Sequence, residues 1–336
     1  MLEFLIAALK FIFLLGFLVL IHEGGHFIVA KFFGVKVNEF SIGFGKKIIG
    51  RQKGETLYAL RAVPLGGFVM LEGEEEESND PRAFNNKSVW KRMLIIAAGG
   101  VVNIIFGLIV YFIIAMSLGN YYSMVVSEPV QGYAASNAGI QVGDELISAN
   151  GQRLHLKTDL DNATSNSQGN TIQFVIKRNN EYMNIDIQPS KSEDGRYVIG
   201  VNLEPAENNL ANSIYYGFWN TVNFSASIIN NVKDLLTGGV KTDQLMGPIG
   251  ISTVVSQTNG ILEFVYILAL ISLSLGVTNL LPFPPLDGGK LVLLLIEAIR
   301  RKKLSMELEL NIQAAGFVLM ILLSIYVAYN DILRIF

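Results

Sequence analysis

Apolar residues fall in long unbroken runs along this chain. Residues 93–118, 264–286 and 310–330 contain no Asp, Glu, Lys or Arg. Each run is near or above the roughly 20 residues a helix needs to cross the hydrocarbon core of a bilayer, so three spans are predicted. A fourth runs from Phe4 to Ile21, with Lys10 as its single charge, and leads directly into His22 and Glu23. This first span is expected to stay in the mature protein, because Met1-Leu2-Glu3 lacks the basic start of a secretory signal. Between residues 124 and 204 the pattern changes. Short β-branched runs such as Ile172-Gln173-Phe174-Val175-Ile176 and Asn184-Ile185-Asp186-Ile187 lie between Asn, Gly and Ser turns, as strands of a small folded domain do. From Ser213 to Leu236, apolar residues recur at helical spacing among Asn and Ser. That predicts an amphipathic helix lying flat on the membrane or against the small domain.

The segment from Val35 to Val69 is unusually apolar for a loop, with Val37, Phe40, Ile42, Phe44, Ile48, Ile49 and Val63 among glycines. A β-hairpin dipping into the membrane is predicted there. The fold class is therefore an α-helical polytopic membrane protein of about four transmembrane helices, with a membrane-associated β-hairpin region and an inserted α+β domain. Its divisions are 1–123 (two spans and the hairpin), 124–204 (the small domain), 205–260 (amphipathic helix and pre-span loop) and 261–336 (third and fourth spans).

Composition agrees: 51% of the 336 residues are hydrophobic, 16% are charged and mean hydropathy is +0.40. A net charge of −3, with aromatics mostly in apolar runs and not alternating with Lys and Arg, excludes a nucleic-acid-binding surface. The absence of cysteine excludes disulfides, thiolate zinc sites and Cys nucleophiles. Eleven Lys or Arg lie in residues 31–92, and Arg300-Arg301-Lys302-Lys303 follows the third span. Both segments are expected to be cytoplasmic, which places the N-terminus, residues 119–260 and the C-terminus on the opposite face. The acidic run Glu74 to Glu77 reads as a solvated surface.

His22-Glu23-Gly24-Gly25-His26 is an H-E-x-x-H pattern. On a helix its two imidazoles share a face and can grip one zinc ion while Glu23 reaches a bound water. Ionisable groups at the end of an apolar helix cost on the order of 2–3 kcal/mol each at membrane depth unless paired or liganded, so function is the default reading. A catalytic zinc takes three protein ligands and leaves one position open. Asp287 is the candidate third ligand, since it ends a span broken by Pro282, Pro284 and Pro285, and broken backbone at membrane depth belongs where it lines a cavity. The alternative is that Asp287 merely caps the next helix. Asn103 and Asn279 are amides within apolar spans, suited to helix-to-helix hydrogen bonds.

The H-E-G-G-H run together with Asn279-Leu280-Leu281-Pro282-Phe283-Pro284-Pro285-Leu286-Asp287-Gly288-Gly289 resembles the site-2 protease family of intramembrane zinc metalloproteases, in particular the bacterial regulator-of-sigma-E protease group with a single PDZ domain. Phe40 to Gly45, Tyr58 to Val69, Gly99 to Asn103 and Met246 to Ile251 resemble the family too, and Ala138 to Ile147 followed by Asn150-Gly151 resembles the core of a bacterial PDZ domain. Two departures are visible: Gly100 stands where the family usually has proline, and Lys290 where histidine often follows the paired glycines.

The resemblance implies hydrolysis of peptide bonds within transmembrane segments of single-span membrane proteins, such as anti-sigma factors or remnant signal peptides. It implies a Zn2+ cofactor on His22, His26 and Asp287, Glu23 as catalytic base, and Asn103 and Asn279 holding substrate backbone. It further implies residence in the lipid bilayer of the bacterial cytoplasmic membrane, with the PDZ-like domain extracytoplasmic and filtering substrates by size. On the residues themselves, peptide binding by strand addition is equally open. A non-proteolytic metal-binding membrane protein would not need Glu23, and a PDZ scaffold with a structural zinc would need a fourth ligand, of which none is evident.

Overall fold

In a bilayer every backbone N–H and C=O must be paired within the chain, which makes uninterrupted helices the default for apolar runs. The computed structural model describes residues 2–119, 121–192, 194–237, 247–258 and 260–335. Four of its helices are long and apolar enough to cross a membrane: α1 (Leu2–Phe32), α2 (Val89–Leu118), α7 (Ile261–Asn279) and α9 (Met306–Ile335). Between α1 and α2 lie β1 (Val37–Lys53) and β2 (Thr56–Leu71). The domain that follows contains β3 (Tyr122–Pro129), α3 (Ala134–Asn137), β4 (Glu145–Ala149), β5 (Gln152–Arg153), α4 (Lys157–Asn166), β6 (Ile172–Arg178), β7 (Glu181–Ile187), β8 (Ser190–Lys191), β9 (Tyr197–Val198) and β10 (Val201–Pro205). Helices α5 (Leu210–Thr237), α6 (Pro248–Ser256) and α8 (Asp287–Arg300) complete the elements among the described residues. It divides into one unit of residues 1–110 with 223–336 and a second of 111–222.

The third span is shorter than the apolar run suggested. It ends at Asn279 and not at residue 286, because Pro282, Pro284 and Pro285 remove backbone donors and push the residues before them out of helical conformation. The chain re-enters a helix at Asp287. This turn is so tight that a Cβ on Gly288 would lie 2.1 Å from the Leu281 carbonyl oxygen, and one on Gly289 would lie 2.5 Å from Pro284 N. The two glycines after Asp287 are therefore a packing requirement of the proline-rich turn. Helix α6 had no counterpart in the predicted pre-span loop; Asp331 of α9 accepts from the N–H groups of Gly247 and Gly250 at 3.2 and 3.0 Å and so supplies a cap from a distant part of the chain. Met246, the first residue of the Met246–Ile251 stretch, lies outside the described residues.

The hairpin is folded on itself. Glu39 to Ile42 have partners on both sides, Leu57 to Leu60 on one and Gly67 to Met70 on the other. Residues 67–71 are thereby left with a strand partner on one side only among the described residues. The buried Glu39 carboxylate is balanced by Arg61, whose Nη2 and Nε lie 2.6 and 3.0 Å away. In the first unit one apolar cluster joins Ala30, Val35, Val37, Leu71, Ile95 and Leu294, and another joins Leu14, Leu18, Val255 and Leu268. Arg92 of α2 pairs with Glu297 of α8 away from water.

The second unit is built on a sheet of order β10-β3-β4-β6-β7, with β5 on β4, around the fully buried Val126, Leu146, Ile172, Phe174 and Ile176. The amphipathic segment forms α5, and its first turns pack on this domain, as one of the two expectations had it. Tyr215 Oη lies 2.8 Å from His155 Nδ1, and Trp219 stacks on the His155 ring at 3.3 Å between centroids. Asp144 is almost wholly buried and accepts from Gln141 N at 2.8 Å and from Arg178 Nε and Nη2, both at 2.7 Å. Burial alone would raise its pKa, but the Arg178 guanidinium and the Gln141 N–H outweigh burial and hold it below the usual carboxylate range. A carboxylate depressed in this way contributes stability above its unfolded pKa and loses it as pH falls through the native one. Amide protection of β4 and β6 in the full-length protein is expected to fall on acidification, and Asp144→Asn to remove that part of the response. An identical acid profile in both proteins would refute the assignment.

Candidate active site

Helical geometry puts His22 and His26 on one face of α1, and the two Nε2 atoms stand 3.3 Å apart. Asp287, the first residue of α8, brings its Oδ2 to 3.2 Å from His22 Nε2 and 3.4 Å from His26 Nε2. The alternative role does not apply, since the position before the helix is Leu286 and no side-chain cap is made there. Asp287 Oδ2 is buried without a satisfying hydrogen bond, and His22 and His26 are both buried residues. Among the described residues this is the one trio of potential ligands whose donor atoms all lie within 4.8 Å of one another. Three electron-pair donors facing one point leave a carboxylate oxygen unpaid for its lost hydration unless a cation lies between them. Their 3.2–3.4 Å separations match a tetrahedron with bonds of roughly 2.0–2.1 Å, whose edge is roughly 3.3 Å. The residues fit a zinc ion.

Helix α2 backs this trio through residues spaced by four. His26 Nδ1 donates to the Ile95 carbonyl oxygen at 2.8 Å, and the Asn103 side-chain amide lies 3.3 Å from His22 Nδ1. Gly99 sits midway, where a Cβ would come within 2.4 Å of His26 Nε2 and 2.8 Å of His22 Nε2. Asn103 is fully buried, and its backbone oxygen accepts from Ser272 Oγ of α7 at 2.9 Å. Gly100 packs on the same crossing, since a Cβ there would meet Leu280 Cγ at 2.7 Å and the Gly276 oxygen at 2.9 Å.

Glu23, His22, His26 and Asp287 share the wall of a cavity of about 320 Å³ with Phe68 and Gln313. The hairpin reaches the same place, because a Cβ on Gly67 would lie 3.6 Å from Glu23 Cγ. Neither Asn103 nor Asn279 is among the lining residues: Asn103 stands behind the His22 ring and Asn279 is the last residue of α7. The acidic run is not all solvated surface. Glu74 lines the cavity and holds Lys290 Nζ at 2.8 Å, with Glu309 3.8 Å from the same ammonium. Sequence reasoning passed over Ile95, named Gly99 only within a family-like stretch and took Glu74 for solvated surface; the four-residue spacing of Ile95, Gly99 and Asn103 on an apolar helix was the available signal for the first two.

Paired histidines and an aspartate converging beside a free carboxylate, among helices of membrane-spanning length, define a membrane metallohydrolase. The chain belongs to peptidase family M50, the site-2 proteases, whose profile matches residues 10–323, and it is a metalloprotease of that family. It is 37% identical over 321 residues to a Clostridium perfringens protein bearing a zinc metalloprotease name, covering 94% of this chain and 95% of that one. It is 29% identical to the regulator of sigma-W protease RasP of Bacillus subtilis, over 99% of this chain and 100% of RasP. The PDZ domain of an SdrC-like protein from Listeria monocytogenes aligns at 18% identity over 26% of this chain and 90% of that domain, with a TM-score of 0.21.

Proposed function

We propose that this chain cleaves peptide bonds within the transmembrane segments of single-span membrane proteins, with zinc held by His22, His26 and Asp287 and with Glu23 as general base. The observation that carries the proposal is the convergence of the trio and Glu23 on one cavity between helices of membrane-spanning length. Bound zinc lowers the pKa of a water molecule and polarises the scissile carbonyl. Glu23 takes a proton from the attacking water and passes it to the departing amine, so that one C–N bond breaks as one C–O bond forms.

A substrate helix hides its carbonyls in its own hydrogen bonds and must unwind before it can be cut. The exposed backbone then needs partners, and residues 67–71, unpaired on one side and running beside Glu23 at Gly67, are suited to take it up as an added strand. Asn279, at the end of α7, is assigned to substrate backbone. Anti-sigma factors and remnant signal peptides fit as substrates, being single spans with short remaining ectodomains. Cleavage of a purified single-span protein in liposomes, abolished by a zinc chelator and restored by zinc, is the test; cleavage that persists in metal-free protein would sink the proposal.

The basic segments at 31–92 and 300–303 support an orientation with the hairpin on the cytoplasmic side of a bacterial cytoplasmic membrane and the N-terminus, residues 124–204 and the C-terminus outside. Cysteines introduced at the exposed Ser88 and Ser165 should label from opposite faces, and same-side labelling would overturn this topology. The PDZ-like domain of residues 124–204 acts as a size filter outside the catalytic machinery. Replacing it with a short linker should preserve cleavage of substrates already shortened outside the membrane and admit some that are not. Loss of all cleavage, with zinc content and insertion intact, would show instead that the domain is required for catalysis.

A further inference from the structure

We infer that Asn103 is a positioning residue for the metal site: its side-chain oxygen accepts the Nδ1–H of His22 and so commits the His22 Nε2 lone pair to zinc. The inference rests on the zinc reading above and adds to it a role for a residue behind the ring.

An imidazole that ligates a metal through one nitrogen carries its proton on the other, and that N–H is normally held by an acceptor that sets both tautomer and ring orientation. For His26 the acceptor is the Ile95 carbonyl, 2.8 Å from Nδ1. His22 presents Nε2 to the trio, 3.3 Å from His26 Nε2 and 3.2 Å from Asp287 Oδ2, so its Nδ1 must be the protonated nitrogen. The group facing that nitrogen at 3.3 Å is the Asn103 amide. With Nδ2 turned towards the ring, two donors would face each other, and Oδ1 would be buried without any partner. Oxygen and nitrogen of a side-chain amide exchange places by a half-turn about the last torsion, and the hydrogen-bond network decides between them. Placing Oδ1 against His22 Nδ1–H gives the acceptor the buried proton it lacks and matches the arrangement at His26.

The backbone around Asn103 is suited to hold such an acceptor still. Ser272 of α7 donates to the Asn103 main-chain oxygen at 2.9 Å, and the residue is 0% exposed. Ile95, Gly99 and Asn103 lie at successive four-residue steps of α2, opposite His22 and His26 at one four-residue step of α1. Helix α2 thus offers an acceptor to each ring, with a residue lacking a side chain between them where the rings come closest.

The test uses the full-length protein in detergent, with zinc affinity measured by competition against a chromophoric chelator for wild type, Asn103→Leu and Asn103→Asp. Asn103→Leu keeps the branched heavy-atom skeleton and removes the acceptor, and its zinc affinity should fall roughly 10- to 100-fold. Asn103→Asp keeps an acceptor at the same place and should remain well above the leucine variant. Thermal unfolding of the zinc-free forms monitors the fold, because a residue that only packed α2 against α7 would lower that melting point without selectively weakening zinc. Independently of any substitution, 15N spectra of the histidines in zinc-loaded wild type, simple to assign in a chain with three of them, should show His22 metallated at Nε2 with a slowly exchanging Nδ1–H. Wild-type zinc affinity in Asn103→Leu, or His22 metallated at Nδ1, would overturn the inference while leaving the zinc site itself standing. Failure of the wild type to bind zinc at all would instead remove the proposed function.

Discussion

Glu23→Gln is expected to lower cleavage of a single-span substrate by about a hundredfold or more, the usual contribution of a positioned general base, while zinc content and fold stay as in wild type. Glutamine has the volume of glutamate and fills the same place on the cavity wall beside His22 and Asp287. Its amide cannot accept a proton from water. Glu23 is also not one of the three donors that converge within 4.8 Å, so removing its charge leaves the trio intact. Single-turnover cleavage measured beside metal analysis on the same preparation decides the matter. A near-wild-type rate in stoichiometrically loaded Glu23→Gln protein would remove Glu23 as the base, and lost zinc would show that the carboxylate holds the site together instead.

A single methyl group on α2 should be nearly as damaging. In Gly99→Ala the new Cβ would stand 2.4 Å from His26 Nε2 and 2.8 Å from His22 Nε2, well inside van der Waals contact. Relief requires α2 to move away from α1 or the rings to leave their rotamers. The first is opposed by the buried Arg92–Glu297 pair, by the Ser272 bond to the Asn103 oxygen and by the close approach of Gly100 to Gly276. The second destroys the trio. Overpacking of this kind typically costs about 1–3 kcal/mol, and here the strain falls on the metal ligands, so zinc affinity and cleavage should both drop by about two orders of magnitude. Gly16→Ala on α1 is the control: a Cβ there meets nothing within 4 Å, and the higher helix propensity of alanine makes the change neutral or slightly stabilising. Zinc binding and cleavage in Gly99→Ala equal to wild type would mean that the two helices are not as close as described.

What could be read from the chain without its structure follows from local rules. Apolar runs longer than a bilayer is thick gave four spans, because membrane insertion leaves the backbone few alternatives to a helix. H-E-x-x-H identified His22, Glu23 and His26 because four residues bring side chains to one face of a helix whatever surrounds it. The prolines before Asp287 announced a break, although not that α7 would stop at Asn279 and a new helix begin at Asp287. Only the tertiary structure decided the rest. The broken span nominated Asp287 with helix capping as its alternative, but that its carboxylate meets His26, 261 positions away in sequence, is beyond the reach of any periodicity. Glu39 to Ile42 having partners on both sides, which leaves residues 67–71 open beside Glu23, depends on strand register, and register is set by packing among many residues at once. Glu74 read as solvated surface because charge runs usually are, and it lines the cavity because α8 brings Lys290 to it. Gly99 and Asn103 stood out only as part of a family-like stretch, with Asn103 read as a helix-bonding or substrate-holding amide; their place against the two imidazoles comes from the identity of the helix opposite them, a fact that exists only once α1 and α2 are packed together.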